Sequence, residues 1–286
     1  MSRPGTVFAL LLTVGLFSLP QPPARAAETG AQCTGTITSL PVVIDTPGTW
    51  CLARDLTATI TQGYVVFIDA HDVALDCKGH RIAPRIMNRN AETYGVVAAD
   101  RNNVAVRNCR VDGFRFGILL QNGTGLEASD NHLSQNTLVG IMVVGDNSLI
   151  KDNAVFDTGG RENAIGVEGL GNVDIIGNLV SGVKPVATSF NPQPSAVGIA
   201  SLYDNPTIAG NRVRGLVKVG EHSLVIAINA AGVNRANIHD NDVTAAPDGR
   251  YGIFCSDART VAVHNIINGF ETPVYSCAAS ENTINP

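Results

Sequence analysis

Residues 116–135, FGILLQNGTGLEASDNHLSQ, hold a glycine and a small apolar run, a polar turn, an apolar residue three places before Asn131, and a second short apolar run. The rest of the chain restates this order. Asn131 (EASDN), Asn153 (LIKDN), Asn178 (DIIGN), Asn211 (TIAGN) and Asn241 (NIHDN) fall in one column, with Cys109 (AVRNC) in the same place one unit earlier. Their steps of 22, 22, 25, 33 and 30 residues are those of a solenoid. Three places before the column stand Val106, Ala128, Ile150, Ile175, Ile208 and Ile238; two places after it stand Val111, Leu133, Val155, Val180, Val213 and Val243. Small and β-branched residues at fixed offsets from a polar one are inward-facing stacks, each coil about 4.8 Å above the last. The pattern predicts an all-β chain, a single-stranded right-handed parallel β-helix of about eight or nine coils with an N-terminal cap. The asparagines read as structural. They tolerate the left-handed conformation of a tight turn, and stacked amides satisfy one another above and below.

The 286 residues suffice for one such solenoid, and the unbroken repeat predicts a single domain over 63–286 behind a cap over 27–62. Charged residues make up only 16% of the chain while glycines number 29, a balance that suits short strands and tight turns. The net charge is −5 with no basic stripe, which argues against a nucleic-acid partner. At the N-terminus Arg3, the apolar run 8–19 and Ala24-Arg25-Ala26 have the form of a cleaved export leader over 1–26. Its apolar core is too short to span a bilayer. Loss of Arg3 and Arg25 leaves 18 basic against 25 acidic residues, a net of −7 from Ala27 onward. The expected location is secreted or periplasmic, with no membrane partner after cleavage.

Six cysteines allow fifteen connectivities. Coil stacking brings Cys33 near Cys51, Cys77 near Cys109, and Cys255 near Cys277, within the 4.4–6.8 Å Cα reach of a disulfide. These are the expected bridges, placed at the two ends of the solenoid where edges need protection. No C-x-x-C spacing suggests a metal. The segment 33–56, with Ile37, Leu40, Val43, Ile44 and a Pro-Gly turn, reads as capping strands, and Trp50 as packing.

The stretch from Ile37 to Ile82 resembles the opening of bacterial exported right-handed β-helix repeat proteins. An apolar cap, the turn Pro47-Gly48-Thr49-Trp50, and a coil carrying Val73, Leu75, Asp76, Gly79 and Ile82 come in that order. The resemblance continues through the repeats over essentially the whole chain after the leader, and in fold it is to the pectate-lyase-type superfamily. It implies polysaccharide-acting relatives beside members with no known activity. It also implies a site on the outer face of the first strand of each coil, walled by long loops.

Two loops are longer than the rest, 182–196 and 214–223, and both leave after the third strand of adjacent coils. Counted from the glycines, the outward first-strand positions are Val97, Leu119, Met142, Gly166, Ala200, Ile228 and Phe254, and two residues on, Ala99, Gln121, Val144, Glu168, Leu202, Ala230 and Ser256. This face is apolar, with Glu168 its one carboxylate, and it invites cover by the 182–196 loop, a partner protein or self-association. On the second-strand face Arg107, Ser129, Lys151, His239 and His264 read as one column, the two histidines on successive coils.

Family motifs are incomplete. Asn136-Thr137 lacks the aspartate of the polygalacturonase N-T-D, Tyr94-Gly95 matches only the start of the alginate-epimerase Y-G-x-D-P-H, and neither a lyase-type R-x-P-x-x-R nor a Ca²⁺-binding G-G-x-G-x-D occurs. No cofactor is expected, Ca²⁺ being the one ion such chemistry would recruit without a motif for it here. The expected function is therefore an exported β-helix that binds polysaccharide or another extracytoplasmic ligand. The alternative is a lyase, hydrolase or epimerase walled by the two loops, with Glu168, Lys184 and Arg212 as catalytic candidates and Arg214, His222 and Gln121 as ligand contacts. Lysine or arginine would serve as base and Glu168 would neutralise or bind.

Overall fold

The computed structural model describes residues 32–232, 235–245 and 248–285. The leader expected over 1–26 lies outside them. The described residues form 31 short strands and no helix, and the strands stack in parallel into three long sheets of ten, eleven and ten. Each coil contributes one strand to each sheet in turn, so the chain winds as a right-handed β-helix. The first sheet runs from Val42–Ile44 to Thr272–Tyr275, the second from Gly35–Ile37 to Ala278–Ser280, and the third from Leu56–Ala58 to Thr283–Asn285. There are ten full coils, nine of them from Gln62–Ile68 onward. The strands Val42–Ile44, Gly48–Leu52 and Leu56–Ala58, in the segment read as a cap, pair in register with that first repeat coil. Gly35–Ile37 adds one further strand to the second sheet. Trp50 packs over Gly35, where a Cβ would overlap the indole.

Packing explains the fold. Val106, Ala128, Ile150, Ile175, Ile208 and Ile238 are fully buried on the second sheet, as are Val111, Leu133, Val155, Val180, Val213 and Val243 on the third. These stacks and the inward residues of the first sheet make one continuous core. Each inward side chain meets its equivalents above and below, the arrangement that stabilises a quasi-one-dimensional stack. A slip of one residue would turn every apolar side chain outward, which fixes the register. The three disulfides are Cys33–Cys51, Cys77–Cys109 and Cys255–Cys277, with Cα separations of 5.8, 4.7 and 5.3 Å.

The asparagine column lies at the corner between the second and third sheets. The Oδ1 of Asn153 accepts the backbone N–H of Asn131 at 3.0 Å and its side-chain Nδ2–H at 3.0 Å. The same double contact joins Asn153 to Asn178, Asn178 to Asn211, Asn211 to Asn241, and continues through Asn265 to Asn282. At the lower end Asn131 accepts the backbone N–H of Cys109, so the cysteine ends the ladder. The left-handed residue of the turn is the one before the asparagine: Asp130, Asp152 and Asp240 have φ of 55°, 53° and 56°, and Gly177 and Gly210 have 68° and 64°. The expectation that asparagine itself adopts that conformation is corrected. Its task is to satisfy buried peptide groups at the bend, where the strand ladder is interrupted.

Candidate functional site at the loop corner

The third sheet meets the first at a corner whose turn residues also stack. Gly113, Gln135, Asp157, Gly182 and Gly215 follow successive third strands with φ of 81°, 55°, 52°, 79° and 66°. Behind them Phe114, Asn136, Thr158, Val183 and Leu216 are buried, and Asn136 accepts the Phe114 N–H at 3.0 Å and donates to the Val111 carbonyl at 3.1 Å. The rigid column forms the floor of a cavity of about 520 Å³, lined on one side by Met87, Asn88 and Arg89 and on the other by Lys184 and Val186. At about 4.8 Å per coil, the floor from Gly113 to Gly182 is about 14 Å long, a groove rather than a pit.

Glycine makes the groove possible. Met87 lies over Gly113, where a Cβ would overlap its sulfur, and the Arg89 side chain lies over Gly160, with Cδ 3.3 Å from where a Cβ would stand. Gly159 forms a parallel bridge with Lys184. A Cβ on Gly159 would overlap the Lys184 carbonyl oxygen, so only glycine lets the 182–196 loop lie against the corner. The Lys184 N–H donates to the Thr158 carbonyl at 2.8 Å.

A second cavity of about 660 Å³ shares Gly160 and Val186 with the first and adds Arg115, Leu138, Arg161, Glu162 and Phe190. Glu92 anchors this end by pairing with both Arg115 and Arg161, the latter at 2.6 Å. The Arg161 hydrogen bond holds the Glu92 carboxyl below the ordinary carboxylate range. Arg89 and Lys184 make no ion pair among the described residues, and with Asp157 the one carboxylate of the lining the groove carries a net positive charge. Phe190 stands at the loop tip, 93% exposed. The loop below it is ordered by Asn163, whose Oδ1 accepts the Ser195 N–H at 2.8 Å, and by Gln193, whose Oε1 accepts the His222 N–H at 2.9 Å and ties it to the neighbouring 214–223 loop.

Of the residues singled out in the sequence, Lys184 lines this groove. Glu168 stands on the outer face of the first sheet, paired across strands with Met142 and Ala200. Burial raises its carboxyl above the ordinary range. Arg212 and Arg214 are exposed on the outer face of the third sheet, Arg212 paired with Asp242 at 3.3 Å. His222 is exposed on its loop, and Gln121 lies at the far edge of the first sheet opposite Ala99 and Val144. Glu168 and Arg212 therefore face outward from different sheets and do not share a cavity with Lys184.

Two register readings are corrected. Gly140 stands level with Gly166, and Ile199 pairs Ile228 inward, so the outward column holds Glu168 where Gly166 was expected and Asn229 where Ile228 was expected. Gly166 is the glycine of its own coil, and in the other case Ala227 takes the glycine's place. On the second sheet His239 pairs with Val263, not His264. His264 is a left-handed turn residue with φ 55° that bonds Glu281 at 2.6 Å, while His239 bonds Asp240 at 2.8 Å. The sequence reading missed Arg89, Arg115, Arg161 and Glu92. Arg89 and Arg161 stand in the segments 85–91 and 157–163 that precede coils three and six, the first carrying two arginines and the second the pair Gly159-Gly160.

Comparison with known proteins agrees with the architecture. A family model described as "Right handed beta helix region" matches residues 54–213, more than half of the chain. Among solved structures, the A-module of the mannuronan C-5 epimerase AlgE6 of Azotobacter vinelandii superposes with a TM-score of 0.50 at 15% identity, covering 85% of this chain and 76% of that one. The enzymatically active domain of tailspike protein 2 of bacteriophage CBA120 gives 0.48 at 13% identity over 79% and 38% of the two chains, and the Dettilon tailspike 0.41 at 12% over 87% and 60%. No curated protein matches the sequence.

Proposed function

Since the chain belongs to the right-handed β-helix family, and this corner groove is where its coils depart from regularity, we propose that it is an exported protein that binds an acidic polysaccharide along the groove. The observation that carries the reading is the pair of cations, Arg89 and Lys184, that line a channel whose one carboxylate is Asp157, a net positive lining. A carboxylate-bearing chain lying along the floor would meet a donor on each side. Phe190, exposed at the end of the channel, offers an apolar platform for a sugar ring. The three disulfides support an oxidising compartment, in keeping with the leader expected at the N-terminus. One structure of the same fold is named as a mannuronan C-5 epimerase, which makes a polysaccharide the first ligand class to try.

A second reading, catalysis, is favoured by one observation: Asp157 and Lys184 line the same cavity. A carboxylate and an ammonium facing one substrate can share the removal of a proton and the stabilisation of the resulting charge. Titration of the protein with polygalacturonate, polymannuronate and dextran tests both readings, with absorbance near 235 nm followed with and without Ca²⁺ to detect elimination. The expected result is binding of the acidic polymers and not of dextran, weakened about tenfold or more by Lys184→Ala or Arg89→Ala, as charge-assisted hydrogen bonds of about 1.5–3 kcal/mol imply. Equal binding of dextran, or indifference to both substitutions, would overturn the assignment.

A further inference from the structure

Buried polar groups in a folded chain find hydrogen-bond partners, and one that does not calls for a reason. Among the described residues, six buried side-chain polar atoms have no partner in the protein: Thr93 Oγ1, Arg115 Nε, Thr137 Oγ1, Thr158 Oγ1, Ser201 Oγ and Asn229 Oδ1. Four of the six stand at one place, the corner where the third sheet passes into the first. Thr93 lies in the strand Glu92–Ala99, Arg115 just before Phe116–Thr124, Thr137 just before Val139–Asp146, and Thr158 just after Ala154–Phe156. The Arg115 N–H donates to the Thr93 carbonyl at 2.8 Å, so these two sit level on adjacent coils. Of the four, Thr137 lines the cavity of about 520 Å³, together with Gln135, Asp157, Arg89 and Lys184.

Thr137 is 4% exposed and its backbone is tied on every side. Its N–H donates to the Phe114 carbonyl at 2.6 Å, and the next N–H, that of Leu138, donates to the Arg115 carbonyl at 3.0 Å. Asn136 before it is held by Phe114 and Val111. A β-branched side chain on so fixed a backbone has few rotamers, which fixes the hydroxyl. That hydroxyl can both donate and accept, whereas Arg89 and Lys184 can only donate.

We propose, resting on the reading of this groove as a site for an acidic polysaccharide, that Thr137 Oγ1 hydrogen-bonds a ring hydroxyl of the sugar unit whose carboxylate meets Lys184 and Arg89. The ligand class narrows from any polyanion to a polyuronate, which carries hydroxyl and carboxylate on the same ring. An unpaired buried hydroxyl costs stability, and costs of this kind gather where a protein is shaped for its ligand. A site built to pair with a hydroxyl also rejects a ligand without one, because its own group is then left stranded. Thr137 Oγ1 is buried, and the side chains overhanging the floor, Met87 over Gly113 and Arg89 over Gly160, are unbranched and exposed. An entering chain reaches the hydroxyl by moving them aside.

Thr137→Val keeps the shape and removes the hydroxyl. Titration of parent and variant with polygalacturonate, and with polyacrylate, which has carboxylates and no hydroxyl, tests the inference alongside thermal melting. The expected result is polygalacturonate binding weakened about fivefold or more, the worth of one ordinary hydrogen bond, with polyacrylate binding unchanged and a melting temperature no lower than the parent's. Thr137→Ser, which restores the hydroxyl, should bring polygalacturonate back to within about threefold of the parent. Ser201→Ala, at an equally buried and unpaired hydroxyl on the first sheet, should leave both titrations unchanged. A parent that binds no polyuronate would remove the reading of the groove and this inference together. A parent that binds, beside a Thr137→Val variant that binds polygalacturonate equally well, loses polyacrylate in the same measure, or melts lower, would overturn the inference alone.

Discussion

Replacing Asn178 by alanine should damage this protein more than its modest change in size suggests. The side chain is 1% exposed. Its Oδ1 accepts the backbone N–H and the Nδ2–H of Asn153 at 3.0 and 2.9 Å, and its Nδ2 donates to the carbonyls of Ile150 and Ile176 and to Asn211. Alanine removes all of these and admits no water. The Nδ2 of Asn153 keeps one acceptor, the Ala128 carbonyl, but its backbone N–H loses its acceptor. An orphaned buried group costs about 1–3 kcal/mol; with one donor and one carbonyl stranded, the expected loss is about 2–5 kcal/mol. Asn282→Ala supplies the internal comparison. Asn282 makes the same contacts to Asn265 and to the Ala262 carbonyl, but it is part-exposed on the last coil, where water can replace them, so its loss should stay near 1 kcal/mol, the net worth of an ordinary hydrogen bond. Guanidinium unfolding followed by circular dichroism, compared at the midpoint with the slope checked for constancy, reads both. A midpoint for Asn178→Ala indistinguishable from the parent, or equal to that of Asn282→Ala, would refute the view that the ladder satisfies groups nothing else can reach.

Val155→Asp and Val180→Asp place a carboxylate in stacks that are fully buried and should leave no soluble folded protein; normal expression and melting of either would sink the coil assignment. Gly159→Val should lift the 182–196 loop from the corner, because its Cβ would overlap the Lys184 carbonyl. The expected readout is faster proteolytic cleavage within that loop and weaker glycan binding, with the melting temperature little changed. Glu92 contributes through a depressed carboxyl pKa, so its stabilisation is present above the ordinary carboxylate value and is lost as pH falls through the depressed one. Glu92→Gln should melt lower than the parent at neutral pH and converge with it in strong acid, and parallel melting curves across that range would count against the ion-pair account.

Much of the fold could be read because its causes are local and repeated. The flanking stacks recur at fixed offsets from the asparagines, and a period of coils leaves no other burial scheme for Val155 or Ile175. The disulfides could be placed for the same reason, since stacking alone brings Cys77 over Cys109. The groove was less legible. Lys184 draws notice because it sits in the longest loop, but Arg89 and Arg161 come from segments far apart in sequence that only the corner unites. Glu168 does lie on the outer face of the first sheet, yet it shares no cavity with Lys184: strand alternation says which face a residue occupies and says nothing of how far around the coil another residue lies. The ladder asparagines illustrate a subtler error. Asparagine favours left-handed turns in general, but here Asp130 and Gly177 take that conformation, and the asparagine beside each is retained for its amide.

The corner that carries the groove is also where coil length is free to vary. From coil four to coil nine the third residue after each ladder asparagine ends a third strand: Ser134, Phe156, Ser181, Arg214, Thr244 and Asn268. The first strands that follow resume at Val139, Ala164, Ala196, Val225, Tyr251 and Thr272, after gaps of very different length. The largest insertions have thus been admitted along one seam, while from the outward first-sheet column Leu119, Met142, Glu168, Ala200, Asn229 and Phe254 to the ladder asparagine the count changes by no more than two residues. A lineage built on this plan can rewrite its recognition surface by splicing at that seam without disturbing the spine. The same seam is the place for an engineer to graft foreign peptide, several copies in parallel at about 4.8 Å spacing, on a scaffold that would not register the change.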